Sequence, residues 1–220
     1  SMQLPQTIIR FPEIQLRTRD AHKLRGHFGN MFKEKSALLH NHMGNGEYRY
    51  AYPQVQYKVI DRTPTLVGIS KGAQLLRELF LKIKELHIGR RTYPVHQKNI
   101  EGSAPDIGIS EHPFTYRFET LWMGINQKNH SRYTGAGELE KQHMLERIVI
   151  GNCLSFFKSI DHYVEEQIQV KGTFKEKRTK FKNNRMLAFE GMFTANLMLP
   201  DYIGLGKSVA RGFGTIRRVE

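Results

Sequence analysis

Cysteine is almost missing from this chain: Cys153 is the only one in 220 residues, so no disulfide can form within it and a reducing interior is expected. Long apolar runs are missing too. Nothing approaches the roughly 18 residues of a membrane span, and no membrane partner is expected. The start, Ser1-Met2-Gln3-Leu4, has no basic segment followed by an apolar one. No secretory signal is therefore expected, and the expected location is cytoplasmic. Metal motifs are lacking as well. No C-x-x-C, H-E-x-x-H or Asp/Glu cluster accompanies the histidines, and His112 with Glu111 and Asp106 is too loose a group to hold an ion. There is no G-x-S-x-G elbow, and Cys153 falls in the apolar run 148–157, so nucleophilic hydrolases fit poorly. Neither a metal nor a cofactor is expected.

Negative charge is scarce: 21 Asp and Glu stand against 34 Lys and Arg, a net charge of +13. Such an imbalance in an otherwise ordinary soluble composition points to a polyanionic partner. The charge is also concentrated. Residues 171–185 read KGTFKEKRTKFKNNR, where Lys171, Lys175, Lys177, Arg178, Lys180, Lys182 and Arg185 are opposed only by Glu176. Phe174 and Phe181 interleave with the cations. This alternation predicts a hairpin with a cationic face, which suits a phosphate backbone better than a membrane surface.

The periodicities predict an α+β chain in two halves, 1–107 and 108–220, divided where Gly, Ser, Pro and Asp cluster near 103–112. The first half reads as a strand at 7–16, a helix at 20–32 capped by Asp20, and a hairpin of 54–60 with 65–69. A helix at 71–86 capped by Ser70 and an extended stretch toward 107 complete it. That order, β-α-β-β-α-β, is ferredoxin-like. The second half predicts a strand at 114–125, a long helix at 138–163 and strands at 167–174, 185–189, 192–199 and 215–219. It reads as a second ferredoxin-like unit whose second helix is shortened or lost.

Before the last strand stands GLGKSVARGFG, residues 204–214, which holds Gly204, Gly206, Gly212 and Gly214. Gly206-Lys207-Ser208 ends like a nucleotide-binding loop, but Asp201 stands where that signature needs its first glycine, and a strand rather than a helix follows. Two Gly-hydrophobic-Gly pairs let a backbone bend sharply and let another molecule approach its N–H groups. Two histidines, His40 and His42, follow the first helix; imidazole exchanges protons near neutrality. A basic chain with two such histidines and no metal motif suits RNA cleavage by the substrate's own 2′-OH, which needs a base, an acid and cations on the phosphate.

Both glycine pairs, their five-residue gap and the centres Leu205 and Phe213 fit the C-terminal motif of the CRISPR-associated repeat-processing endoribonucleases of the RAMP superfamily. The two-unit ferredoxin-like plan and a histidine after the first helix resemble that family as well, across essentially the whole chain. The resemblance implies metal-independent cutting of CRISPR precursor RNA within its repeats, leaving 2′,3′-cyclic phosphate and 5′-OH ends. The alternative it admits is a non-catalytic RNA-binding subunit of an interference complex. Partners implied are repeat RNA, other proteins of such a complex and a second copy of the chain.

Carried onto this sequence, the family's glycine loop falls on Gly204, Gly206, Gly212 and Gly214, and its catalytic histidine on His40 or His42. The tyrosine that many members carry in the first helix is absent, since the segment reads LRGHFGN. This leaves His27, Tyr48 and Tyr50 as further catalytic candidates. Lys207 and Arg211 would add phosphate contacts from the loop. Two expectations for the glycines stay open. If RNA alone demands them, Gly206→Ala and Gly212→Ala keep their melting temperature; if positive φ demands them, it falls.

Overall fold

The computed structural model describes residues 1–32, 52–181 and 183–219. The elements in chain order are β1 (Met2–Gln3), β2 (Gln6–Arg10), α1 (Ala21–Phe32), β3 (Val55–Ile60), β4 (Thr63–Ile69), α2 (Lys71–Leu79), β5 (Glu85–Ile88), β6 (Arg91–Pro94) and β7 (Asn99–Ser103). They continue with β8 (Asp106–Phe118), α3 (Gln127–Thr134), α4 (Glu138–Ser159), β9 (Val170–Phe181), β10 (Asn184–Met198) and β11 (Ile216–Arg218). These divide into two compact units, one of Gln3–Pro105 with Val209–Gly212, the other of Ser1–Met2, Asp106–Ser208 and Phe213–Glu220. Both are ferredoxin-like.

In the N-terminal unit the sheet order is β3-β4-β2-β7, with every neighbour antiparallel. The β3–β4 hairpin closes through Asp61 and Arg62, both at positive φ, 48° and 69°. Such a turn matches the right-handed twist of the strands it joins. Leu24 and Phe28, four residues apart on α1, lie on one helix face and are fully buried with Ile9, Tyr57 and Leu66. Asp20 stands at the start of α1 as expected. A 3-10 turn, Thr18–Asp20, leads into the helix, and the Asp20 carboxylate reaches back to accept the Arg17 N–H at 3.0 Å.

The strand expected at 7–16 ends at Arg10, and two further details of this unit differ from the sequence-based expectation. Ser70 precedes α2 at φ 55° without a capping side-chain hydrogen bond, its N–H donating to Pro5 O at 2.9 Å. The helix predicted to reach Leu86 ends at Leu79, passes through a 3-10 turn Phe80–Lys82 and becomes β5. The apolar spacing misleads here because Leu86 is buried on either period. Exposed Glu85 and His87 on either side of it reveal the period of two, and pairing with β6 sets it.

The C-terminal unit repeats the order as β9-β10-β8, with β11 and β1 on the other edge of β8. The strand expected at 114–125 is earlier and longer, and after Phe118 only the bridge of Trp122 to Phe189 continues it. α4 ends at Ser159 rather than 163, and α3, capped by Asn126 accepting the Asn129 N–H at 2.9 Å, was not expected. The three strands expected between 167 and 199 are two, one unbroken hairpin in register from Phe181↔Asn184 to Val170↔Ala195. Gly191, which reads as a break, keeps the strand going at φ 149°, where a Cβ would lie 2.1 Å from Thr173 O. Trp122 anchors the core: it is fully buried, stacks on Phe118 at 5.2 Å and donates through Nε1 to Asn152 Oδ1 at 2.9 Å. No second helix follows β10; residues 199–215 are loop apart from a 3-10 turn at Val209–Arg211.

Candidate nucleic-acid interface

Tyr116, buried in β8, fixes the exit into the glycine loop: its hydroxyl donates to Leu197 O at 2.7 Å and accepts the Leu199 N–H at 2.9 Å. The loop then folds on itself. Leu205 N–H donates to Gly214 O at 2.9 Å, Lys207 N–H to Met123 O at 2.9 Å and Gly214 N–H to Leu121 O at 2.7 Å. These N–H groups are therefore engaged within the C-terminal unit, as buried backbone donors must be. Gly206 has φ 91°, and a Cβ on it would lie 2.7 Å from Trp122 Nε1 and 2.8 Å from Met123 O. Gly214 has φ 68°, with the added Cβ 2.0 Å from Leu205 O. Gly212, at φ 95° in the N-terminal unit, would press on Ala21 Cβ at 2.9 Å. The folded loop needs these three glycines before any ligand arrives, which corrects the expectation that Gly206→Ala and Gly212→Ala leave melting unchanged. Gly204 is buried and bridges Thr215.

The cationic stretch is the β9–β10 hairpin. Lys171, Lys175, Arg178, Lys180 and Arg185 are exposed, and Lys177 is half-buried with its Nζ 3.7 Å from Glu190. Glu176, the one acid of the stretch, is engaged inside the unit: Tyr133 OH donates to it at 2.7 Å, and Lys141 Nζ lies 3.9 Å away. Few negative charges therefore compete for a phosphate there. Phe181 meets Phe213 edge-on at 5.1 Å, so hairpin tip and glycine loop join within one unit. Lys182 lies outside the described residues.

In the N-terminal unit Arg211 is half-buried, and burial, followed by the neighbouring Arg25 guanidinium, lowers its pKa. Tyr57, stacked on Phe28 at 5.8 Å, holds a buried hydroxyl with no hydrogen-bond partner among the described residues, and the Arg25 charge acts on it. Arg25 and Tyr57 were not anticipated. Their sequence neighbourhood is ordinary helix and strand, and only the fold brings them near Arg211.

His40, His42, Tyr48 and Tyr50 also lie outside the described residues. His27 is described, on α1 against β5. The His87 N–H donates to its Nδ1 at 3.2 Å, and its Nε2 is buried without a partner among the described residues. Burial, then the His87 ring 5.3 Å away, holds the His27 imidazole below its ordinary pKa, against a smaller opposing pull from Glu85. With Nδ1 accepting, the neutral ring carries its proton on Nε2, and a buried donor left unsatisfied costs about 1–3 kcal/mol. His87 itself is satisfied on both nitrogens, by Glu85 Oε1 and Thr92 Oγ1, each at 2.9 Å. Lys23, Gly26, His27, Asn30, Glu85, His87 and Gly89 line a cleft of about 580 Å³. Gly26 is exposed in mid-helix with nothing within 4 Å of an added Cβ, although glycine there costs about 1 kcal/mol against alanine. Reading 85–88 as a strand would have placed Glu85 and His87 on one face beforehand.

Comparison with known proteins accounts for both halves. Residues 2–105 match the sequence model of the Cas6b N-terminal domain and residues 108–219 that of the Cas6b C-terminal domain. A crystal structure of Cas6b is 38% identical, with a TM-score of 0.93 over 99% of this chain and 100% of that one. A second, of the CRISPR RNA processing endoribonuclease Cas6b, is 34% identical with a TM-score of 0.81 over the same shares. An uncharacterised protein of Methanocaldococcus jannaschii is 33% identical over 144 residues, 65% of this chain and 98% of that one. With both of its units matched in order, the chain belongs to the Cas6b family.

Proposed function

We propose that the chain is a metal-independent endoribonuclease that cuts CRISPR precursor RNA within its repeats to release guide RNAs. The observation that carries this reading is the match of both units to Cas6b, including a structure of a CRISPR RNA processing endoribonuclease at 34% identity over the whole of that chain. In the reaction one group removes the proton of the 2′-OH at the cut, and the freed 2′-oxygen attacks the adjacent phosphorus. The 5′-oxygen leaves with a proton from a second group, so the upstream product ends in 2′,3′-cyclic phosphate and the downstream one in 5′-OH. His40 and His42 are proposed for the two proton transfers, with His27, Tyr48 and Tyr50 as the other candidates. The exposed hairpin cations Lys171, Lys175, Arg178, Lys180 and Arg185, with Lys177, Lys182, Lys207 and Arg211, hold the phosphate backbone.

The test uses repeat RNA labelled at one end. A single cut that persists in EDTA, and is abolished by 2′-deoxyribose on the nucleotide 5′ of it, supports the reaction. Activity lost in EDTA and restored by magnesium contradicts metal independence, and tight binding without any cut identifies a binding subunit.

A further inference from the structure

The cleft between α1 and the β5–β6 hairpin has donors besides His27, the one residue of its lining proposed for proton transfer. Its floor is α1, where Gly26 exposes bare helix backbone and leaves open space above it. Lys23 stands at one side, its Nζ 3.3 Å from Asp20, and a Cβ on Gly89 in the opposite turn would come within 3.8 Å of it. Asn30 is exposed one turn beyond Gly26. The β5–β6 turn carries Arg90 and Arg91, both exposed; Arg91 lies over Tyr93, 5.9 Å from its ring centre, and Arg90 has no ion pair among the described residues. Among the described residues the one acid lining the cleft, Glu85, is held by His87 Nε2 at 2.9 Å. Among the described residues an ammonium, an amide and an imidazole therefore line the cleft, and the Arg90 and Arg91 guanidinium groups follow Gly89 in the turn beside it. A group with many acceptors and no donor suits such a place, and the phosphodiester is that group.

We propose that this cleft is a second contact site for the RNA, in which one phosphodiester of the single-stranded substrate lies over Gly26 between Lys23, Asn30 and the Arg90-Arg91 turn. The glycine lets the RNA backbone come closer to the helix than any side chain would allow. The site deepens the RNA-processing reading and rests on it.

Two variants test the site without touching the proton-transfer candidates. Gly26→Leu replaces a poor helix former with a good one and fills the cleft. It should melt no lower than wild type, yet bind repeat RNA roughly tenfold more weakly, a loss of about 1.4 kcal/mol. Arg90→Ala with Arg91→Ala should flatten the slope of log affinity against log salt by roughly 0.7 for each lost contact. Both variants should cut at the wild-type single-turnover rate once the RNA is saturated with protein. Wild-type cutting with both variants binding at full affinity overturns this inference alone, and so does weak binding by Gly26→Leu that comes with a lower melting temperature. Absence of any cut or binding by the wild type overturns the reading beneath it, and the inference with it.

Discussion

Between the third and fourth strands of the ferredoxin-like plan, the first half of the chain has a helix, α2, and the second half has the glycine loop 199–215, of which Val209–Gly212 belongs to the N-terminal unit. The two connections meet the same need by opposite means. A helix pairs most of its backbone groups within itself, so α2 follows from an apolar stripe, with Leu75, Leu76 and Leu79 buried. The loop borrows its partners from distant segments: Leu121 and Met123 accept N–H groups from Gly214 and Lys207. It therefore requires particular residues at particular points, and Gly206 and Gly214 are two of them. The helical connection tolerates surface change, whereas the loop is specified atom by atom and presents a shape that a binding site can use.

The proton-transfer candidates and the hairpin cations also fall in different units, the first in the N-terminal unit and the second in the C-terminal one. Substitutions should separate rate from affinity accordingly. Replacing His40 or His42 with alanine should slow single-turnover cleavage by roughly 10²-fold or more while RNA affinity stays near wild type. Wild-type rates in both single variants and in the double variant would move the chemistry elsewhere. In the second unit, removing Lys177, Arg178 and Lys180 together should weaken binding and flatten the salt dependence by roughly 0.7 per lost contact on single strands. An unchanged slope would make the hairpin merely a solvated basic surface.

The loop and a helix can be set against each other directly in thermal melts. Gly214→Ala forces a side chain into φ 68° against Leu205 O and should destabilise by about 1–3 kcal/mol. Gly151→Ala on α4, where nothing lies within 4 Å of the added Cβ, should be neutral or stabilise by up to about 1 kcal/mol. Equal effects would mean that the loop is not the specified element described above. The smallest effect concerns Cys153, fully buried on α4, whose thiol is pushed up to about 12 by burial. In the native protein at pH 8 it should react with a thiol reagent far more slowly than after unfolding, followed by absorbance; rapid native labelling would show that the α4 core opens.

Much of this organisation was legible beforehand because it rests on local patterns. The hairpin 54–69, the first helix and the cationic hairpin each announce themselves through period, turn residues or charge. The misplacements share a cause. Leu86 satisfies a helical and a strand period alike, and only its pairing partner Tyr93 decides between them. Gly191 reads as a strand end, yet a continuous partner strand carries the chain past it. The cleft around His27 was half visible. The imidazole stands in the sequence, but Glu85 and His87 lie some 60 positions further on and come beside it only where β5 packs against α1.

The sequence by itself determined the excess of positive charge, which suits a polyanionic partner, the repeated ferredoxin-like order, through its periodicities, and the position of the loop, through its glycine pairs. Each is a property of neighbours along the chain. Tertiary structure alone decided what those glycines are for within the protein and which side chains face one another. Trp122 stands beneath Gly206, His87 beside His27, and Phe181 against Phe213. Such contacts depend on strand register and on the burial of polar groups that must find partners across the fold, and neither is encoded in any short stretch of residues.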